Sequence, residues 1–358
     1  MKKKVLLMGA SGSGKTSMRS LIFSNNPASL TSRLGATIDV EQNHVRFLGD
    51  LILNLWDCGG QDAFMDSYLS IQQSTIFQHV GVMIYVFEVE TRNMEKDLDY
   101  YMACLGALQK YSPNAAVFLL VHKMDLAKGG SKAETLARKT KELKEASGDV
   151  EITVFGTSIY DESLYNAWSR IVHILIPNAS VLSRHLAKLA SACSATEVVL
   201  FERTTFLVIA TSTLPRPPHV AMASTSDPSP TKTNGSVSAT NHSNYETEED
   251  PDPHKMALTR YERTSELIKA FKYSCARVRE EFHTLEMELP EFTAVLDELT
   301  RNTYVLIVVH DPTIGMSVLH ISLPLKSKMR HIETAALRMN IRLARPKFEE
   351  LQGNSLLS

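Results

Sequence analysis

Eight residues near the start of the chain, Gly9-Ala-Ser-Gly-Ser-Gly14-Lys15-Thr16, limit its fold more than any other feature. They lie between an apolar run, residues 5–8, and a helix-forming stretch, residues 15–23. A glycine-rich loop ending in Lys-Thr is meaningful in that strand–loop–helix context. The glycines let successive backbone N–H groups converge, and the helix N-terminus adds partial positive charge. The loop is therefore a cradle for phosphate, with Ser11, Gly12, Ser13, Gly14 and Ser17 as further contacts. Lys15 should reach the β- and γ-phosphates of a nucleotide, and the Thr16 hydroxyl should bind Mg²⁺.

A strand feeding such a loop implies a sheet around it. Apolar runs at 5–8, 45–48, 52–56, 82–87, 117–121 and 152–155 alternate with helical patterns at 15–23, 94–109, 132–145 and 162–176. This alternation predicts an α/β domain, a mostly parallel six-stranded sheet covered by helices. The runs at 45–48 and 52–56 read as a hairpin, so one strand should be antiparallel. Pro177 should end the last helix, which sets a first domain at 1–178.

A second pattern, residues 179–350, should form an α+β domain. Its helices are expected at 181–193, 258–282 and 329–344, and its strands at 197–202, 205–211, 304–309 and 317–323. Between them, residues 212–256 are rich in Ser, Thr, Asn, Asp and Pro and lack apolar periodicity. Such a segment cannot bury enough surface to offset the entropy of ordering it, so it is expected to be a disordered insertion.

Four further features choose the nucleotide. Trp56-Asp57-Cys58-Gly59-Gly60-Gln61 follows a strand. Asp57 can hold Mg²⁺ through water, the Gly60 N–H can sense a γ-phosphate, and Gln61 stands where GTPases orient the attacking water. Thr37, between the first helix and second strand, can complete the Mg²⁺ shell. His122-Lys123-Met124-Asp125 follows another strand, where small GTPases carry Asn-Lys-x-Asp. Asp125 accepts the guanine N1 and N2 protons, Lys123 packs along base and ribose, and His122 takes the place of the usual Asn. Thr157-Ser158-Ile159 matches the loop that contacts the guanine carbonyl. GTP and GDP are thus the expected ligands. The catalytic residues are expected to be Gln61 and Lys15. No arginine is obviously poised for catalysis, and Arg33 and Arg46 are candidates only by nearness.

Composition narrows the setting. The formal net charge of −2 gives no basic field for nucleic acid. Four dispersed cysteines without a CxxC pair read as a reduced, cytosolic chain. The N-terminal lysines and short apolar run are not expected to be a signal peptide. Lys2 excludes myristoylation, and GNSLLS carries no prenylation box, so any membrane attachment should come through partners.

Together these residues resemble the Rag/Gtr small GTPases, in particular the RagA-type (Gtr-like) subunit. WDCGGQD, the His of HKMD, RLGATIDVE (33–41), IYVFEVE (84–90) and ERTTFLVI (202–209) carry the likeness over nearly the whole chain, apart from the insertion. The resemblance implies a roadblock-type C-terminal domain that pairs with a RagC-type paralogue. It implies a lipidated scaffold complex at the cytoplasmic face of the vacuolar or lysosomal membrane, a TOR kinase complex told of amino-acid sufficiency, and a GTPase-activating protein. Two alternatives stay open: a GTP-dependent scaffold with negligible hydrolysis, and an Arf-like trafficking GTPase. The second is disfavoured by the absence of a myristoylatable glycine and of an amphipathic helix before the first strand.

Overall fold

The computed structural model describes residues 2–31, 33–48, 51–176, 179–212, 260–289, 292–310 and 323–354. Its first half runs β1 (Lys2–Gly9), α1 (Lys15–Phe23), α2 (Ala28–Thr31), β2 (Val40–Leu48), β3 (Leu51–Cys58), α3 (Asp62–Leu69), α4 (Gln73–Phe77) and β4 (Val80–Glu88). It continues through α5 (Met94–Tyr111), β5 (Ala116–His122), a 3-10 turn (Met124–Leu126), α6 (Lys132–Ser147), β6 (Ile152–Thr157) and α7 (Ser163–Leu175). The six strands lie in the order β2-β3-β1-β4-β5-β6. Every neighbouring pair is parallel except β2 and β3, the expected hairpin. This is the Ras-like GTPase fold.

The central strands β4 and β5, and β1 from Val5, are apolar because both faces are covered. Val5 and Leu7 point into one core with Met18 and Ile22 of α1 and Trp168 and Ile171 of α7. Leu6 and Met8 point into the other, with Tyr101 and Leu105 of α5. The strand order reverses at β1, which has β3 on one side and β4 on the other. In open α/β sheets the crevice at the carboxyl ends of the strands around such a point is where ligands bind. The glycine-rich loop leaves β1 there.

The second half runs α8 (Ala179–Ala192), β7 (Glu197–Glu202), β8 (Val208–Thr211), α9 (Arg260–Arg277), β9 (Leu285–Glu288), β10 (Phe292–Thr300), β11 (Thr303–His310) and α10 (Leu323–Asn354). Its strands form an antiparallel sheet in the order β8-β7-β11-β10-β9, consistent with a roadblock-type domain. Val198 and Leu200 of β7 share the first core with Leu182 and Leu186 of α8 and Ile341 of α10. Val199 and Phe201 face the opposite way, into a smaller core with Ile268 of α9. None of the described helices is long and apolar enough to cross a membrane.

Several expected elements change. The run at 205–211 is a strand only from Val208, because the buried Glu202 carboxylate takes the N–H groups of Thr204 and Thr205 and the Thr205 hydroxyl, tying those residues into a turn. β9 and β10 were not anticipated. The last helix starts at Leu323 rather than 329 and runs to Asn354, so Leu323 is helical; the rest of the expected strand at 317–323 lies outside the described residues. The insertion expected at 212–256 also lies outside them, except Ser212, as does Pro177.

Candidate nucleotide site

The loop after β1 turns back on itself through three glycines with positive φ: Gly9 (133°), Gly12 (82°) and Gly14 (99°). Gly9 is also held by space, since a Cβ there would sit 2.3 Å from the Val86 carbonyl oxygen. Lys15 is buried, and its Nζ donates to the Gly9 carbonyl at 2.7 Å and the Ala10 carbonyl at 2.8 Å. The loop, Thr16 and Ser17, the segment 34–37 and Gly60-Gln61 together line a cavity of about 220 Å³.

Three segments far apart in sequence close around that cavity. The Thr16 and Thr37 hydroxyls lie 2.6 Å apart. Gln61 Nε2 donates to the Thr37 carbonyl at 3.2 Å. The Ser11 N–H donates to the Gly60 carbonyl at 2.9 Å. Gly60 packs so tightly on the loop that a Cβ would fall 2.4 Å from backbone atoms of Gly9, Ala10 and Ser11. The Ser13 hydroxyl, Asp57 Oδ1 and Gln61 Oε1 are buried without a hydrogen-bond partner. Orphaned buried polar atoms are uncommon and call for an explanation, such as a ligand or ion.

Asp57 fits a divalent cation on that ground. Its side chain is fully buried, and Arg19 Nε donates to Oδ2 at 3.0 Å, leaving Oδ1 as the orphan. One carboxylate with two facing hydroxyls is the hard-oxygen donor set that suits Mg²⁺. Burial pushes the Asp57 pKa up, and the charges of Arg19 and Lys15 work against it. Arg19 escaped the reading of the sequence. It stands three residues after Thr16 and four after Lys15, on the same face of α1, and helical spacing is the signal that could have found it. Its NH2 also pairs with Glu41 of β2 at 2.7 Å. Arg33 is an exposed turn residue, and the Arg46 side chain lies outside those described.

The residues expected to read the base gather at the ends of β5 and β6. Asp125 sits in the 3-10 turn, and Ser158 donates its hydroxyl to Asp125 Oδ1 at 2.5 Å. The Ser158 N–H is taken by Ser163 Oγ at 3.0 Å, which fixes the loop at the start of α7. Ile159 packs half-buried against the main core. Lys123 adopts a left-handed backbone conformation (φ 61°) and pairs with Glu88 at 3.0 Å.

His122 joins this group to the phosphate loop. Its ring is 1% exposed, with Nδ1 2.9 Å from the Thr157 hydroxyl. The other edge lies against Gly14, where a Cβ would come within 2.6 Å of His122 Cδ2. The imidazole thus fills the space between the phosphate loop and the base loops. Burial, reinforced by Lys123, lowers its pKa from 6.5 to about 4. A neutral ring in the folded chain and a chargeable one in the unfolded chain make stability fall as pH drops from 6.5 towards 4. Over that window the wild-type chain is expected to lose about 3 kcal/mol more than His122→Gln, at 1.36 kcal/mol per unit. Denaturant titrations at pH 7 and pH 4 check this; equal losses would show that the ring is solvated.

A family model described as the Gtr1/RagA G protein conserved region matches residues 4–268. GTP-binding protein gtr1 of Schizosaccharomyces pombe is 45% identical over 337 residues, covering 94% of this chain and 96% of that one. Ras-related GTP-binding protein A of Dictyostelium discoideum is 41% identical over 350 residues, 98% of each chain. Ras-related GTP-binding protein C of Mus musculus is more distant, 27% identical over 219 residues, 60% of this chain and 54% of that one. With a Ras-like sheet, a phosphate loop at its switch point and that extent of likeness, the chain belongs to the Gtr1/RagA family of G proteins, whose members are GTPases.

Proposed function

We propose that this chain is a Mg²⁺-dependent GTP switch that hydrolyses GTP slowly on its own and faster with an activating protein. The observation that carries the reading is the meeting of Thr16, Thr37 and Gln61 around one cavity, from three segments that a γ-phosphate would hold together, with the orphaned Asp57 Oδ1 on the same segment as Gln61. Thr16, Thr37 and Asp57, the last through water, would hold Mg²⁺, which when bound neutralises charge on the phosphate oxygens. Lys15 does the same from the loop, and Gln61 orients the attacking water. Asp125, steadied by Ser158, selects guanine. Loss of the γ-phosphate frees the Thr37 and Gly60 segments, and partners read that change.

The division at residues 178 and 179 separates this switch from a dimerisation domain. Kinship with both A-type and C-type proteins supports pairing with a RagC-type paralogue. We further propose, on the sequence resemblance alone, a place on the cytoplasmic face of the vacuolar or lysosomal membrane, held by a lipidated scaffold complex and reporting amino-acid sufficiency to the TOR kinase complex. Co-expression with a RagC-type chain, then identification of the purified chains and nucleotide, tests the pairing. A one-to-one heterodimer carrying guanine nucleotide is expected, and a lone chain or homodimer would refute it.

The metal role has its own test. Thr16→Ala removes a hydroxyl that faces Thr37, so it should weaken Mg·GTP about tenfold more than GDP. A hydrogen bond to a charged group is worth about 1.5–3 kcal/mol, enough for that difference. Equal weakening of both nucleotides in an equilibrium titration would remove Thr16 from the metal site.

A further inference from the structure

Helix α9 belongs to the second sheet, yet it reaches the nucleotide half through two side chains that the proposed mechanism does not use. Lys269 is 8% exposed, and its Nζ donates to the carbonyls of Leu21 at 3.0 Å and Ile22 at 2.7 Å. These carbonyls lie in the last turn of α1, where a helix leaves its acceptors without internal partners. The Ser20 carbonyl, one step earlier, is served by the N–H groups of Ser24 and Asn26. Lys269 therefore meets the next two. The ammonium also lies 5.1 Å from the ring centroid of Tyr165 in α7. Six residues before it, Arg263 Nε pairs with Glu162 at 3.1 Å. Glu162 precedes α7 and ends the loop that carries Ser158 and Ile159.

A buried ammonium is tolerated where its charge is met by hydrogen-bond acceptors. Here the acceptors form the negative end of a helix dipole. The positive end of that helix is the phosphate cradle. At 1.5 Å rise per residue, the two ends of the nine-residue α1 are only about 13 Å apart. The preceding residue, Ile268, anchors α9 in the small core with Phe206 and Tyr304. One helix thus links the second sheet to the far end of the element that presents Lys15 and Thr16.

We propose that Lys269 is a positioning residue for nucleotide binding: by fixing the C-terminal end of α1 it couples occupancy of the phosphate loop to helix α9. This coupling rests on the guanine-nucleotide reading above. Because coupling between two sites is reciprocal, a nucleotide that steadies α1 must also steady α9.

The test uses the full-length chain loaded with fluorescent GDP and Mg²⁺. Lys269→Met keeps the unbranched side chain out to the ε position and removes its donors. It should speed nucleotide release by roughly 5–150-fold, the range of ordinary coupling, and leave the preference for GTP over XTP unchanged. Ile268→Val is the control: it loosens α9 in its own core and lowers the melting temperature, but release should stay within about twofold, because no bond to α1 is lost. Hydrogen exchange is then measured across Arg260–Arg277 in the wild type, with and without a non-hydrolysable GTP analogue. Nucleotide should protect these amides in the wild type and not in Lys269→Met. Unchanged release in Lys269→Met, or equal acceleration in both variants, overturns the proposal. So does wild-type exchange in α9 that ignores nucleotide, which decides the matter even if Lys269→Met fails to fold. A wild-type chain that binds no guanine nucleotide would instead sink the functional reading, and the coupling with it.

Discussion

With Gln61 replaced by leucine, activator-stimulated GTP hydrolysis is expected to fall by about 10³-fold or more, the lower end of what a completed GTPase site supplies. GTP affinity should change by no more than a few-fold. Gln61 lies at the N-terminal edge of α3, its Nε2 on the Thr37 carbonyl and its Oε1 buried without a partner. That orphaned acceptor is the group available to a water molecule beside the γ-phosphate. Leucine fills similar space and offers neither donor nor acceptor. An interaction made mainly in the transition state lowers turnover when removed and leaves ground-state binding nearly intact. Single-turnover hydrolysis with and without an activating protein, alongside equilibrium GTP binding, checks the split. Stimulated turnover that survives the substitution would show that another group positions the water. A wild-type chain that no activator accelerates would favour a GTP-dependent scaffold.

Asp125→Asn is expected to weaken GTP binding by about 10²–10⁴-fold, the worth of two hydrogen bonds to a charged group at about 1.5–3 kcal/mol each. The structure sharpens the reason. Ser158 already donates to Asp125 Oδ1 at 2.5 Å. An asparagine would keep its carbonyl oxygen on that hydroxyl and turn its amide N–H₂ towards the base. Guanine N1–H and N2–H₂ would then face a donor, whereas the xanthine O2 would be matched. Binding of XTP should rise as GTP falls, and ATP should remain weak. His122→Gln should change base preference far less, because the ring packs between Gly14 and Thr157 and carries no charge. Competition titrations of the three triphosphates decide it. An Asp125→Asn chain with unaltered preference would mean that the base is read elsewhere.

The first sheet was legible because its central strands are doubly buried apolar runs separated by amphipathic helices, and each expected strand lies within an observed one. The ends moved outward where pairing extends past the apolar stretch: β2 begins at Val40, through the polar residues Glu41, Gln42 and Asn43, because β3 offers them a ladder. The short helices α2, α3 and α4 have too few residues to show a period. β10 is hidden for another reason. Ala294, Val295 and Leu296 are consecutive, and Asp297 and Glu298 interrupt any alternation before Leu299. Its place between β11 and β9 made it a strand, so pairing partners distant in sequence overrode the local pattern.

The site divides along similar lines. Loop residues whose backbone does the work, Gly9 to Thr16 and Gly60, can be read from spacing alone, since only certain residues permit those turns. The contacts between segments could not be. Nothing local in the sequence shows that Ser158 steadies Asp125, that His122 fills the space beneath Gly14, or that Arg19 takes one oxygen of Asp57. Those facts depend on which strand ends the sheet order places side by side.

Equilibrium competition on the wild-type chain measures guanine selection and the metal requirement at once. A fluorescent GDP is displaced by GTP or ATP, first with excess Mg²⁺ and then with a chelator. GTP should displace it at concentrations at least about 10²-fold lower than ATP, in keeping with a site whose buried acceptors reject a base lacking the matching donors. Chelation should weaken GTP more than GDP, as expected for Thr16, Thr37 and Asp57 acting on a metal that bridges to the γ-phosphate. Equal displacement by ATP and GTP, or GTP binding indifferent to chelation, would contradict the proposed Mg²⁺-dependent GTP switch.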